Sequence, residues 1–242
     1  MLLQAALNGP LTKDAHPAVP VSAEELARDA LACAAAGAGA FHLHPRDPDG
    51  RERLEAEVVD EVVAAVRDAC GLPVGVTTGA WIEPELGRRL QLVRAWRAPD
   101  YASVNLSEDG ATEMMRALLE AEVGIEAGVW SVDDAERLAA SDLGGRVTRI
   151  LVEPVDVAAA DALELVGGIH RALDRLGLDA PRLQHGDGEA TWILVADAVR
   201  RGIDTRVGLE DTVHEPSGER TAGNAALVRA AQRLGAGRTH DG

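Results

Sequence analysis

The chain alternates short runs of branched and small apolar residues with longer stretches in which apolar positions recur every three to four residues. The short runs are residues 2–7, 39–44, 73–77, 101–105, 124–130, 147–152, 181–184 and 204–208. Their shortness, and β-branched residues in five of them, predict strands. The stretches between them, 22–37, 55–70, 84–95, 111–121, 132–141, 157–176, 189–201 and 221–235, predict amphipathic helices. The first helix is sharply bounded. Ser22 with Glu25 three residues on forms a capping box, Leu26, Ala30, Cys33 and Ala34 make one apolar stripe, and Gly37 suits the left-handed stop. Gly235 suits the same role at the end of the last helix.

Eight strand–helix units in 242 residues give about 30 residues each, the length of one βα unit. Alternation of this kind requires a parallel sheet. Eight repeats favour closure into a (β/α)8 TIM barrel, for which about 250 residues is typical. The expected organisation is one catalytic barrel domain over residues 1–242. A doubly wound open sheet is the competing architecture, but no GxGxxG follows the first strand.

Composition changes this picture little. Aromatics are only 2% of the chain, so Leu, Val, Ile and Ala must fill the core. The net charge of −16 repels nucleic acid and anionic membranes, which excludes both as partners. Cys33 and Cys70 lie inside helical patterns and read as small buried hydrophobes, not as a disulfide. The N-terminal apolar run is too short for a signal or a membrane span and lacks a basic flank, and no later run is long enough to span. A cytoplasmic protein is expected, and barrels of this kind often pair, so a homo-oligomer (dimer or tetramer) is expected too. Trp96, Trp130 and Trp192 are candidates for the interface or the core.

In a closed βα barrel the C-terminal strand ends carry the chemistry. Here nearly every one ends in polar groups: Asn8, the pair His42 and His44, Thr77 and Thr78, Ser103 and Asn105, Glu126 along strand five, Glu153, His185 with Asp187, and Arg206 to Asp211. Residues i and i+2 of a strand share a face, so His42 and His44 point together into the barrel. By the same alternation Arg206, Gly208 and Glu210 share a face of strand eight. Strands two and eight both flank strand one and lie roughly 10 Å apart, so a carboxylate from one can meet imidazoles from the other. Two histidines and a carboxylate with an open position form a catalytic zinc set, although the same donors suit Fe, Mn, Co or Ni.

The motifs NGP after strand one, AGAGAFHLHPRDPDG through strand two, TTG after strand three, HGDGEATW after strand seven, and RVGLEDT with GNAALV at the end resemble the β-keto acid cleavage enzymes over almost the whole chain. The resemblance implies a zinc-dependent TIM barrel. It implies a retro-Claisen type acyl transfer in which a β-keto acid and acetyl-CoA give acetoacetate and a new acyl-CoA. Carried onto this chain, it makes His42, His44 and Glu210 the metal ligands. Arg206 and Asp211 match catalytic residues, Thr77 falls where the family often has a serine near the substrate, Ser103 where it has a threonine, and Glu126 matches an acidic residue on strand five. Asn8, Ser103, Asn105, Glu126 and His185 are expected around the substrate.

Two departures bear on the substrate. Leu11 stands where members that take an amino substrate carry an acidic residue, and EPVD (residues 153–156) replaces a Gly-rich loop after strand six. Within that frame Asp211 is the candidate general base and Arg206 the clamp for a carboxylate or oxyanion. His185 is a candidate fourth ligand or partner of the metal site. His16, in a Pro-rich loop, is a candidate to close over the substrate, and His170, His214 and His240 are expected on the surface. A metal-dependent aldolase or hydrolase on the same barrel, and a non-catalytic metal or small-acid binding protein, are the competing functions.

Overall fold

The computed structural model describes residues 1–237. Eight strands, β1 (Leu3–Ala6), β2 (Ala40–Leu43), β3 (Val74–Thr77), β4 (Tyr101–Asn105), β5 (Gly124–Val129), β6 (Arg149–Val152), β7 (Arg182–Gln184) and β8 (Asp204–Val207), pair in sequence order. All pairs are parallel, and β1 pairs with both β2 and β8, so the sheet closes into a TIM barrel instead of remaining an open doubly wound sheet. A helix follows each strand: α1 (Ala23–Ala35), α2 (Ala56–Cys70), α3 (Leu86–Arg94), α4 (Ala111–Glu120), α5 (Val132–Ala140), α6 (Ala159–Arg175), α7 (Thr191–Arg201) and α8 (Asn224–Leu234). The capping box on α1 forms in full, with the Ser22 side chain accepting from the Glu25 amide and Glu25 accepting in return. Among the described residues, no helix is long and apolar enough to cross a membrane.

Alternation along each strand separates two environments. Phe41, Leu43, Val76, Val104, Ile125 and Val152 face outward and pack with the helices into one apolar layer. Leu26 and Cys33 join it from α1, Val59 and Val63 from α2, and Trp96, whose indole N–H donates to the Leu54 carbonyl at 2.8 Å, from beyond α3. The inward positions are largely polar. Gln4 on β1 donates to Glu126 on β5 (2.9 Å) and to the Tyr101 hydroxyl on β4 (3.1 Å), and Arg149 on β6 reaches Glu126 at 3.3 Å. These bonds tie four strands together across the barrel floor, although Gln4 Oε1, Glu126 Oε2 and one Arg149 nitrogen stay without a partner among the described residues.

Several expectations are corrected. Strand eight ends at Val207, after which the amides of Asp211 and Thr212 both donate to the Gly208 carbonyl at 3.0 Å. Glu210 therefore sits on a turn, not on a strand face, and strand alternation does not govern it. Cys33 is buried as expected, but Cys70 is only partly so, its thiol against the Val66 carbonyl; both are free. His170 is buried under β7 instead of lying on the surface, with Nε2 on the Gln184 side chain at 2.8 Å. His16 does not swing over the site. It is buried, held by the Thr221 carbonyl at 3.0 Å and by the Ala18 amide donating to Nδ1. His214 is exposed, and His240 lies outside the described residues.

Candidate active site

A cavity of about 270 Å³ opens at the C-terminal ends of the strands. It is lined by His42, His44, Thr77, Ser103, Asn105, His185, Arg206, Glu210 and Asp211 from the expected set, together with Pro10, Trp81, Trp130, Glu153, Pro154, Val155 and Asp187.

Three donor atoms converge on one side. His42 Nε2 and His44 Nε2 lie 3.7 and 3.6 Å from Glu210 Oε1, and one ligand atom from each residue falls within 4.8 Å of the other two. These separations are too long for good hydrogen bonds and of the size, about 3–4 Å, that ligands keep around one small cation. Glu210 Oε2 and His42 Nδ1 are buried and have no hydrogen-bond partner among the described residues. The three converging donor atoms and the unpaired Glu210 Oε2 thus fit a divalent metal. Nothing hydrogen-bonds His42 at its outer nitrogen, whereas His44 is braced there by Glu52 at 2.5 Å. Glu52 in turn accepts from the Trp81 indole N–H at 3.3 Å, and the Trp81 ring stacks on His44 with centroids 6.0 Å apart.

Local chain chemistry builds this corner. Asp47 to Gly50 is a turn, with the Gly50 amide donating to the Asp47 carbonyl and Gly50 at φ +80°, which folds Glu52 back toward His44. Asn8 brackets the His44 backbone, accepting from its amide at 2.9 Å and donating to its carbonyl at 3.0 Å. Its side chain is thereby spent on holding His44, and it does not line the cavity as expected of a substrate-binding residue. Gly9, at φ +53°, passes so close to Glu210 that a Cβ would fall 2.4 Å from its Cγ.

Electrostatics divide the two imidazoles. Burial drives the His42 pKa down to about 3, leaving the ring neutral and ready to ligate. Burial also pulls on His44, but the Glu210 and Glu52 carboxylates outweigh it and raise that ring. Burial opposes ionisation of Glu210, yet Arg206 and the two histidines hold its carboxyl well below the usual range. Arg206 donates to Glu210 (2.8 Å) and to Asp211 (2.7 Å). One guanidinium thus serves two carboxylates. Burial, aided by the neighbouring Glu210 charge, raises the Asp211 carboxyl despite that contact. A buried carboxylate of raised pKa beside an ion site is suited to taking up a proton.

The other expected residues divide. Thr77 and Ser103 reach the cavity, with Thr77 Oγ1 accepting from the Gly79 amide, and Asn105 reaches it while donating to Glu108 at 2.9 Å. Glu126 does not line the cavity. It lies beneath, in the floor layer, where burial pushes its pKa up to about 7 against the pull of Arg149 and Gln4. Leu11 borders a neighbouring cleft of about 770 Å³ that shares Glu210 and Asp211 with the cavity. Sequence reasoning missed Glu52 and Trp81 as parts of the site and left Trp130 to core or interface. The DPDG turn signature was the only signal for Glu52, and none marked Trp81.

The chain matches the model of the beta-keto acid cleavage enzyme family over residues 1–239. It belongs to that family. A 3-keto-5-aminohexanoate cleavage enzyme of Fusobacterium nucleatum is 38% identical over 71 residues, which span 29% of this chain and 26% of that enzyme. A 3,5-dioxohexanoate:acetyl-CoA acetone transferase of Paraburkholderia graminis is 26% identical over 90% of this chain and 84% of its own length. Among solved structures, a ternary complex of ObcA with a C4-CoA adduct and oxalate superposes with a TM-score of 0.71. That match is 17% identical and covers 90% of this chain and 63% of the ObcA chain, and it shows a shared fold alone.

Proposed function

We propose that this beta-keto acid cleavage enzyme is a zinc-dependent acyltransferase. It would join a β-keto acid to acetyl-CoA and release acetoacetate and a new acyl-CoA by carbon–carbon bond cleavage. The observation that carries the reading is the convergence of His42 Nε2, His44 Nε2 and Glu210 Oε1 beside the Arg206–Asp211 pair. The family membership and the named acetyl-CoA transferase relative support it.

His42, His44 and Glu210 would hold the metal. When bound, it supplies Lewis acidity toward a keto oxygen at an open position. Asp211 removes a proton from the carbon between the keto and carboxyl groups. Its raised pKa and its burial suit that task. Arg206 is charged at any working pH and faces negative charge developing on the substrate. Thr77, Ser103 and Asn105 orient the substrate by hydrogen bonds. The neighbouring cleft that shares Glu210 and Asp211 gives the thioester its own approach to the reacting carbon. By its resemblance to members that take an amino substrate, the chain lacks their acidic residue at Leu11, and a β-keto acid without a cationic side chain is the substrate class we propose.

The test is elemental analysis of purified protein followed by a β-keto acid panel with acetyl-CoA. Zinc at about one equivalent per chain and formation of acetoacetate with a new acyl-CoA are expected. Keto acid cleavage that needs metal but no acetyl-CoA would replace this reading with an aldolase or hydrolase. Bound metal without any product would leave a binding protein.

A further inference from the structure

Opposite the ion site, three side chains form a row that the proposed chemistry does not use. Trp130, Glu153 and His185 are each the first residue past their strands, β5, β6 and β7. Parallel pairing sets them level, because Val129 pairs with Val152 and Val152 with Gln184. The Trp130 indole N–H donates to Glu153 Oε1 at 3.0 Å, and His185 Nε2 lies 2.8 Å from Glu153 Oε2. Space for the carboxylate is made by Gly128, where a Cβ would fall 2.3 Å from Glu153 Oε1. Glu153 and His185 are both buried. His185 Nδ1 is buried without a hydrogen-bond partner among the described residues and stands 3.7 Å from Asp211 Oδ1.

We propose that Glu153 is a positioning residue that fixes the proton of His185 on Nε2, so that a bare Nδ1 on the cavity wall beside Asp211 is the acceptor for a hydroxyl of the keto acid side chain or an amide N–H of the thioester arm. Indole N–H can only donate, so one oxygen of Glu153 is committed to Trp130. The other oxygen can only accept, so the imidazole must present Nε2–H to it. Nδ1 at 3.7 Å from Asp211 is beyond hydrogen-bond reach, and a proton there would be a buried donor without an acceptor. A carboxylate is required because an amide has a single acceptor. With glutamine at 153, Trp130 cannot yield its proton, so the amide oxygen stays on the indole and the NH₂ group meets His185. The imidazole then has to bare Nε2 and carry its proton on Nδ1, where it can no longer accept from substrate.

The proposal is about this chain's residue 153, in the EPVD segment, and its first test is independent of the proposed reaction. ¹⁵N-histidine NMR of the purified protein, with the His185 signals assigned by their loss in His185→Gln, reads which nitrogen carries the proton. The expected result is a neutral ring protonated on Nε2 in the wild type, the opposite tautomer in Glu153→Gln, and the wild-type tautomer in Glu153→Asp, which keeps two acceptor oxygens. A wild-type ring protonated on Nδ1, or on both nitrogens, overturns the proposal, as does an unchanged tautomer in Glu153→Gln. A wrong imidazole tautomer lowers turnover by about 10⁴ in serine-protease triads. Here Asp211 remains in place, and Glu153→Gln is expected to lower kcat/KM by at least about tenfold, with partial recovery in Glu153→Asp. Unchanged kcat/KM with a flipped tautomer overturns the role of His185 toward the substrate. If no β-keto acid is converted by the wild type, the reaction proposed above fails, and the NMR result alone still decides the role of Glu153.

Discussion

Two histidine–carboxylate clusters face each other across the mouth of this barrel, made of the same residue types and arranged to opposite ends. On the β1, β2 and β8 side, His42 and His44 stand 3.7 and 3.6 Å from Glu210, close enough to share a cation and too far to satisfy one another. On the β5, β6 and β7 side, His185 and Glu153 meet directly at 2.8 Å. Direct contact uses the carboxylate to orient an imidazole, whereas a gap leaves room between the ligand atoms for a third party. Composition cannot distinguish these uses. About an ångström of separation does.

The largest expected effect tests the gap. Replacing His42 or Glu210 by Ala should reduce bound metal to under about a tenth of an equivalent and abolish turnover, read by elemental analysis and assay of the same sample. Full metal occupancy in both variants would dissolve the difference between the clusters. Asp211 lies between them, within 3.7 Å of His185 and 2.7 Å of Arg206. Asp211→Asn should keep the metal while lowering kcat by about 10²–10⁴, the usual contribution of a positioned base. Loss of metal in this variant would move Asp211 into the ligand set.

A smaller effect is expected at Glu52, which braces the outer nitrogen of His44. Glu52→Ala should weaken metal binding by about 10–100-fold without unfolding the protein, measured by competition with a chelator. Unchanged affinity would mean that the Trp81 stack and the Asn8 bracket suffice to hold the ring. The smallest effect on either cluster is expected from Glu126, in the layer beneath both. Burial pushes its pKa from 4.5 up to about 7. The folded state therefore holds its proton to higher pH than the unfolded state. Stability is then fully present below pH 4.5 and falls as pH rises toward about 7. Glu126→Gln should remove that decline, roughly 3 kcal/mol, seen as a flatter plot of Tm against pH, and should leave metal content unchanged. A parallel pair of Tm curves would show that Glu126 does not titrate in this range.

Much of the fold was legible because its signals are local. Eight strand runs and eight helical stripes could be read from alternation and three-to-four spacing, and the capping box at Ser22 and the stops at Gly37 and Gly235 stand where expected. The His42–His44 pair was legible for the same reason, since two residues apart on one strand means one face. Glu210 was placed at the right site by an argument that does not hold for it. The strand stops at Val207, and the turn that follows, with Gly9 packed against the Glu210 side chain, aims the carboxylate.

Asn8, at a strand end, and Glu126, which the resemblance matches to an acidic residue on strand five, are both expected around the substrate. One brackets the His44 backbone and the other joins the floor network through Gln4 and Arg149. Residue type was visible in both, but height along the barrel axis and the choice of partner were not. By itself the sequence determined the periodicities, and with them the barrel and which residues point inward. Only the tertiary structure decided which inward groups bond one another and which are left unpaired, because that depends on closure of β8 against β1 and on distances between side chains carried by different strands and loops.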